Sequence, residues 1–268
     1  MVHRLPQPHK SVRRARVGPV MTAVRTPDGT AEAWLARPAD VDGDTPLPGV
    51  LLFMDAIGLR PRIVEMSDRI ASWGYVVLAP NVFYRNGTAA ETSPDGPLDT
   101  EERRALFFKG ARPRIAGLTT KLALADIAAY LDALVSHPDV TTPVGVVGYC
   151  MGARLALRAA CAHPDVVSAC GGFHGGRLAS DAADSPHLGL AAARAEFAFG
   201  HADHDASMDV EAVARLDEAL RTAGRTATNE IYEGAAHGYT MADTAVYDEA
   251  ATERHFAVLR ELFDRTLR

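Results

Sequence analysis

The pentapeptide Gly148-Tyr149-Cys150-Met151-Gly152 is the feature that most constrains how this chain can fold. The apolar residues 144–147 before it are typical of a buried strand, and residues 153–161 after it are typical of a helix. A strand, a turn of small residues around a nucleophile and a helix form the context of a nucleophile elbow. Glycines two positions before and after the centre permit the sharp turn. The central side chain is a thiol, which predicts nucleophilic chemistry by sulfur.

The rest of the chain alternates between strand and helix patterns. Predicted strands are residues 20–26, 31–36, 49–54, 75–79, 166–173, 195–199 and 228–232, and predicted helices are 62–73, 120–135, 208–223 and 244–267. This alternation predicts an α/β fold with a mostly parallel, doubly wound sheet and helices on both faces. Residues 81–118 show the least regular pattern. Ligands of such sheets bind beyond the carboxyl ends of the strands, where every candidate residue below is placed.

Composition limits the domain organisation and the possible partners. Residues 1–16 are basic and contain prolines, so we interpret them as a disordered arm, followed by one domain over 17–268 without a separate lid domain. The net charge of −6 argues against a nucleic-acid partner. No apolar stretch approaches the roughly 18 residues of a membrane span. The three cysteines, an odd number, favour a reduced cytoplasm, and the oligomeric state stays open.

A thiol needs a base and an orienting acid to act efficiently near neutral pH. His237 is the predicted base, because it lies in a loop of small residues after a strand and before the final helix. Asp203, after the strand 195–199, is the predicted orienting acid, and Asp205 is its rival. A metal cluster of His201, Asp203, His204 and Asp205 is the weaker interpretation of this loop.

The predicted oxyanion hole uses two backbone N–H groups, those of Met151 and of Ala56 in the loop after the strand 49–54. Asp55 precedes Ala56 and follows that buried strand directly. As a structural residue it would cap a turn. As a functional residue it would place a charge beside the thiol and control its ionisation.

Together these motifs resemble the dienelactone hydrolase family of α/β-hydrolases. The resemblance runs over residues 48–80, the cysteine elbow, residues 200–203 and residues 234–238, and covers about residues 18–266 in order. It implies cofactor-free hydrolysis of a small ester or lactone by Cys150, His237 and Asp203. It also implies that the acid at position 55, usually Glu in the family, keeps the thiol protonated until substrate binds.

The resemblance also assigns substrate contacts. Arg85 matches a family arginine that binds a substrate carboxylate, and a surface salt bridge is the alternative role for it. A second family arginine is replaced by Met241, which puts dienelactone itself in doubt as substrate. Four further residues are candidates for the acyl pocket or for ordinary packing: Phe83, Tyr84, His174 and Tyr239.

Two other functions remain open at the level of sequence. A broad carboxylesterase or thioesterase would use the same three residues without a preference for lactones. A binding protein or thiol redox sensor could retain the fold and a reactive cysteine.

Overall fold

The computed structural model describes residues 20–38 and 45–268, so the predicted arm 1–16 lies outside the described residues. An eight-stranded sheet with the order β1-β2-β4-β3-β5-β6-β7-β8 organises the fold. The strands are β1 (Val20–Thr26), β2 (Gly29–Ala36), β3 (Leu47–Phe53), β4 (Val76–Pro80), β5 (Val140–Tyr149), β6 (Val167–Phe173), β7 (Glu196–Ala202) and β8 (Ala227–Tyr232).

The sheet is parallel except at one edge. Strand β2 pairs antiparallel with β1 and with β4, and all strands from β4 to β8 in the sheet order pair in parallel. The mostly parallel α/β sheet predicted from the alternating pattern is therefore confirmed. The carboxyl ends of β3, β5, β7 and β8 meet at one edge, so the loops that follow these strands lie together.

Helices cover both faces of the sheet. They are α1 (Pro61–Ala71), α2 (Ala89–Thr92), α3 (Glu101–Gly117), α4 (Thr120–Val135), α5 (Met151–Ala162), α6 (Val210–Thr222) and α7 (Glu249–Thr266). Two consecutive glycines in β6 face helices on opposite sides of the sheet. Gly171 faces Leu259 of α7, and Gly172 faces Ala153 of α5. The apolar run 50–53 of β3 is fully buried between these layers. Apolar burial of this kind is the main stabilising contribution to such a fold.

Helix α3 was not predicted, since residues 81–118 lacked a regular pattern. Most of its residues are partly or fully exposed, Ala111 is its buried residue, and Pro113 interrupts its sequence. Thr100 caps the helix by accepting a hydrogen bond from the Arg103 N–H. Its apolar residues that pack against the core, Phe108 and Ile115, are only partly buried and form no regular apolar stripe, which explains why hydrophobic periodicity missed the helix.

Candidate active site

Cys150 occupies a strained backbone position between β5 and α5. Its φ of 53° and ψ of −113° lie in a region that non-glycine residues rarely adopt, and this turn projects the side chain away from the sheet. Glycine is required at positions 148 and 152 because neighbouring backbone segments come too close to leave room for a side chain. A Cβ on Gly148 would clash with the Gly152 backbone, and a Cβ on Gly152 would clash with the Phe53 carbonyl. The predicted elbow geometry is present.

His237 connects the thiol to a carboxylate. Its Nε2 lies 3.0 Å from the Cys150 Sγ, and its Nδ1 lies 2.5 Å from the Asp205 Oδ2. Sγ and the carboxylate thus contact opposite nitrogens of one imidazole ring. An acid at Nδ1 fixes the tautomer and leaves Nε2 to exchange a proton with the thiol.

The prediction of Asp203 as the orienting acid was wrong, and its rival Asp205 contacts His237. Strand β7 continues to Ala202, three residues beyond its predicted end, so Asp203 directly follows the strand and points to a neighbouring loop. Its carboxylate accepts the N–H groups of Gly234 and His204, both at 2.9 Å. The chain then turns at His204, which has a φ of 50°, and this turn directs Asp205 to the imidazole.

Asp205 is itself held in place. Its Oδ1 accepts hydrogen bonds from the backbone N–H and the hydroxyl of Ser207, at 2.8 and 2.7 Å. Burial opposes its negative charge, but His237 and these hydrogen bonds outweigh it and lower the pKa of Asp205 to about 2. The carboxylate is therefore charged throughout the physiological range.

The electrostatics of the pair favour a thiolate. Burial alone would raise the pKa of the Cys150 thiol, but the His237 charge and hydrogen bond and the Met151 N–H bring it below the ordinary cysteine value. Burial would lower the pKa of His237, but Cys150 and Asp205 raise it to about 10. A thiolate–imidazolium pair is the expected state between these two pKa values.

The two predicted oxyanion donors belong to the elbow and to the wall of the cavity that Cys150 lines. Met151 begins α5, and its N–H points at the Cys150 sulfur. Ala56 lies in the wall of the same cavity as Cys150. Its N–H donates to no acceptor among residues 20–38 and 45–268. An unpaired N–H beside the nucleophile is available to a developing oxyanion.

Asp55 is buried near the thiol but bonds to another residue. Its Oδ1 and Oδ2 accept from the two terminal nitrogens of Arg60, at 2.6 and 3.1 Å. Arg60 in turn binds Asp243, with its Nε 2.5 Å from Oδ2. The negative charge of Asp55 still raises the pKa of Cys150. Asp55 therefore acts on the thiol through space, and its expected role in keeping the thiol protonated until substrate binds stays a prediction.

Cys150 and His237 line a cavity of about 450 Å³. Helix α3 forms one wall with Glu101, Arg104, Phe108 and Arg112, none of which the sequence analysis proposed. Met241 also lines this cavity, as do the predicted Asp55 and His174. His174 is fully buried and shares a hydrogen bond of 2.7 Å with the Thr240 hydroxyl. Burial foremost lowers the pKa of His174 well below the ordinary value, so this imidazole is neutral.

Arg85 is not placed to bind a substrate, which corrects the expectation drawn from the resemblance. Its guanidinium donates to both carboxylate oxygens of Asp126, at 2.6 and 2.8 Å, and to Asp28. Tyr84 belongs to the same network, since its hydroxyl donates to Asp126 at 2.9 Å. The carboxylates that bind Arg85 come from the β1–β2 turn and from α4, and the charge pattern of the sequence gave no indication of either pairing.

Phe83 and Tyr239 are core residues and do not contribute to the cavity wall. Phe83 is 1% exposed, and Tyr239 is fully buried with its hydroxyl donating to the Gly200 carbonyl at 3.0 Å. Of the predicted acyl-pocket residues, His174 is the one that lies in the cavity wall. The alternative interpretation of the loop after β7 as a metal site does not fit the contacts of its side chains. His201 bonds to Asn229, and Asp205 bonds to His237.

Comparison with known proteins places the chain in a family. Residues 31–267 match the dienelactone hydrolase family. The chain belongs to this family. A carboxymethylenebutenolidase from Rhodococcus opacus is 28% identical over 259 residues, covering 91% of this chain and 90% of the relative. As a member of the dienelactone hydrolase family, this protein is a hydrolase with the α/β-hydrolase fold.

Solved structures show the same fold at lower identity. A candidate dienelactone hydrolase from Klebsiella pneumoniae superposes with a TM-score of 0.78 at 22% identity, over 92% of this chain and 98% of that one. The dienelactone hydrolase of Anabaena variabilis gives a TM-score of 0.62 at 18% identity, over 93% and 98% of the two chains. In the part of the chain that the structure describes, no helix is long and apolar enough to span a membrane.

Proposed function

We propose that this hydrolase cleaves carboxylic esters or lactones through a Cys150–His237–Asp205 triad. The observation that carries the proposal is the position of His237, whose two ring nitrogens contact Sγ at 3.0 Å and Asp205 at 2.5 Å. The cavity of about 450 Å³ in front of Sγ has room for a small organic substrate.

In acylation, the Cys150 thiolate attacks the ester carbonyl carbon and forms a C–S bond. The electron pair of the C=O bond moves to the oxygen, where the N–H groups of Ala56 and Met151 would stabilise it. Collapse of this intermediate breaks the C–O bond, and the leaving alkoxide takes the proton from the His237 Nε2. The products of this step are an alcohol and a thioester on Cys150; in a lactone the alcohol remains attached to the acyl group.

In deacylation, neutral His237 removes a proton from water through Nε2, and the hydroxide attacks the thioester carbonyl carbon. The C–S bond breaks, the carboxylic acid leaves, and the thiolate–imidazolium pair is restored. Asp205 stabilises the imidazolium that forms in this step, because its carboxylate remains ionised and bonded to Nδ1. The scheme needs no cofactor and balances with one water molecule consumed per ester.

The family resemblance and the Rhodococcus relative support this chemistry, while the choice between lactone and open ester belongs to the proposal. Because Arg85 is paired with Asp126 and Met241 replaces an arginine, the carboxylate contacts implied by the resemblance are missing. We therefore propose esters and lactones other than dienelactone itself as substrates. A general carboxylesterase or thioesterase would differ by showing no preference within a substrate panel.

The test is the Cys150→Ala variant assayed against a panel of aryl esters and lactones. Removal of the nucleophile is expected to lower kcat/KM by at least about a thousandfold. Cys161→Ala is the matched control, because it removes a thiol that does not contact His237 and should retain wild-type rates. Wild-type hydrolysis by Cys150→Ala would refute the proposal.

A further inference from the structure

A second cavity, of about 500 Å³, adjoins the catalytic one and contains four arginines in its wall. It lies between α3, α4, α5 and the loop after β6. We call it the arginine cleft and define it by Arg112, Arg154, Arg158 and Arg177. Arg112 lines both cavities, and Met151, which follows the nucleophile, lies in the wall of the cleft. The two cavities therefore share Arg112, and the cleft extends to the residue that follows Cys150 in the chain.

The positive charge of the arginine cleft is only partly compensated. Among the described residues, Asp184 is the one carboxylate in its lining, and it pairs with Arg158, whose Nη2 lies 3.7 Å from Oδ2. Within residues 20–38 and 45–268, the side chains of Arg112, Arg154 and Arg177 have no hydrogen-bond or ion-pair partner. Three guanidinium groups thus face one cavity without a carboxylate of their own.

Arg154 is the most informative of the three. It lies one helical turn after Cys150 on α5, and it is partly buried. Burial, with a smaller effect of the Arg177 charge, lowers the pKa of Arg154 below the ordinary arginine value. The charge of Cys150 acts in the opposite direction, so the guanidinium lies within electrostatic range of the nucleophile. A desolvated cation without a partner is costly, and a bound anion would remove that cost.

We propose that the arginine cleft binds an anionic group of the substrate, a carboxylate or a phosphate, while the ester bond of the same molecule lies at Cys150. Guanidinium groups bind both anions through paired hydrogen bonds. The volume of the cleft, about 500 Å³, fits a small molecule rather than a macromolecule. The proposal rests on the ester hydrolase function and adds the charge of the substrate to it.

The first experiment compares pairs of esters that differ only in charge. Mono-para-nitrophenyl esters of dicarboxylic acids of increasing length are each matched with the analogue whose distal carboxylate is a carboxamide. The wild-type enzyme should prefer the carboxylate of the length that reaches the cleft, and salt should weaken that preference. Arg154→Gln and Arg177→Gln should each reduce the ratio of the two kcat/KM values by about tenfold.

The control is Arg103→Gln on α3. It removes a guanidinium from the helix that carries Arg112, but Arg103 is exposed, pairs with Asp99 and lines neither cavity. The ratio should stay at the wild-type value in this variant. If Arg103→Gln reduced the ratio as much as Arg154→Gln does, a general field of the surface would replace the cleft as the explanation.

The second experiment does not depend on turnover. Calorimetry with the Cys150→Ala protein measures the binding of adipate and of inorganic phosphate as probes. At least one should bind, with affinity that falls by about tenfold in the Arg154→Gln background. Absence of binding by both, together with equal wild-type rates for the carboxylate and carboxamide esters, would overturn the proposal. Hydrolysis retained by Cys150→Ala would instead refute the triad and leave the binding result standing.

Discussion

At the scale of the residue, two aspartates lie two positions apart in the loop after β7. The local backbone determines which of them bonds to His237. Asp203 follows β7 and accepts the backbone N–H groups of Gly234 and His204. Asp205 follows the turn at His204 and accepts from His237 at 2.5 Å. Both residues satisfy a sequence pattern in which an acid follows a strand. The backbone turn between them leaves Asp203 with a structural role and places Asp205 at the site.

Asp205→Asn should lower kcat/KM for aryl esters by roughly a hundredfold or more, because an amide does not stabilise the imidazolium and can favour the wrong tautomer. Asp203→Asn is the matched control and should change kcat/KM by less than about threefold. Steady-state rates of both variants give the comparison. A larger loss in Asp203→Asn than in Asp205→Asn would reverse the assignment.

The pH dependence of thiol alkylation tests the charges around Cys150. Iodoacetamide reacts with the thiolate, so its rate rises as the pH passes upward through the Cys150 pKa. His237 lowers this pKa and Asp55 raises it. His237→Gln should therefore move the midpoint to higher pH, and Asp55→Asn should move it to lower pH.

The other thiols provide an internal control for the alkylation. Burial foremost raises the pKa of Cys161 to about 12 and raises that of Cys170 well above the ordinary value. Peptide mapping near neutral pH should find the label on Cys150. An unchanged midpoint in Asp55→Asn would show that this carboxylate does not act on the thiol.

Much of the site followed from sequence, and the exceptions share a physical cause. The elbow at Cys150, its contact with His237 and the position of Ala56 in the cavity wall were identifiable, because strand ends and small-residue turns fix the local backbone. Asp205 was weighed but ranked second, since the end of β7 was placed too early. Arg85 was misassigned because its partners Asp28 and Asp126 are distant in sequence. Local patterns locate turns, whereas long-range pairing depends on the packed structure.

At the scale of the element, the elbow depends on close contact between α5 and β3. Gly152 lies in the first turn of α5, where its backbone is in close contact with the carbonyl groups of Phe53 and Met54. Helix α3 shows the opposite behaviour, because its Gly110 has no atom near the position of a Cβ. The two glycines therefore occur in helices for different reasons, which a sequence alone does not distinguish.

Gly152→Ala should destabilise the protein by about 2 kcal/mol or more, because the added methyl group forces the helix away from β3. Gly110→Ala is the matched control and should stabilise α3 by about 0.5 kcal/mol, through the better helix propensity of alanine. Urea unfolding of both variants measures the two effects. Equal stability of Gly152→Ala and the wild type would contradict the close contact.

At the scale of the whole molecule, a buried ion network joins the first parallel strand to the C-terminal segment. Arg60 contacts Asp55 after β3 and Asp243 after β8, and Asp243 lies 183 positions beyond Arg60 in the chain. The Arg60 side chain and the residue Asp55 are each 3% exposed. The network therefore fixes the loop that carries Ala56 relative to the loop that follows His237.

Arg60→Met should lower the free energy of unfolding by roughly 3 kcal/mol, because it leaves the buried Asp55 carboxylate without its cation. Arg265→Met is the control, since Arg265 joins α7 to Glu196 through an exposed pair, and its loss should cost under about 1 kcal/mol. Chemical denaturation monitored by circular dichroism compares the variants. Similar stabilities for both would contradict the role of the buried network.

The proposed function depends on transfer of the acyl group of an ester to Cys150. Wild-type protein mixed with para-nitrophenyl acetate and quenched in acid within the first turnover should carry one acetyl group. Peptide mass spectrometry should locate that group on the Cys150 sulfur. Release of nitrophenol with Cys150 unmodified, or an acetyl group on another residue that is required for turnover, would contradict the claim.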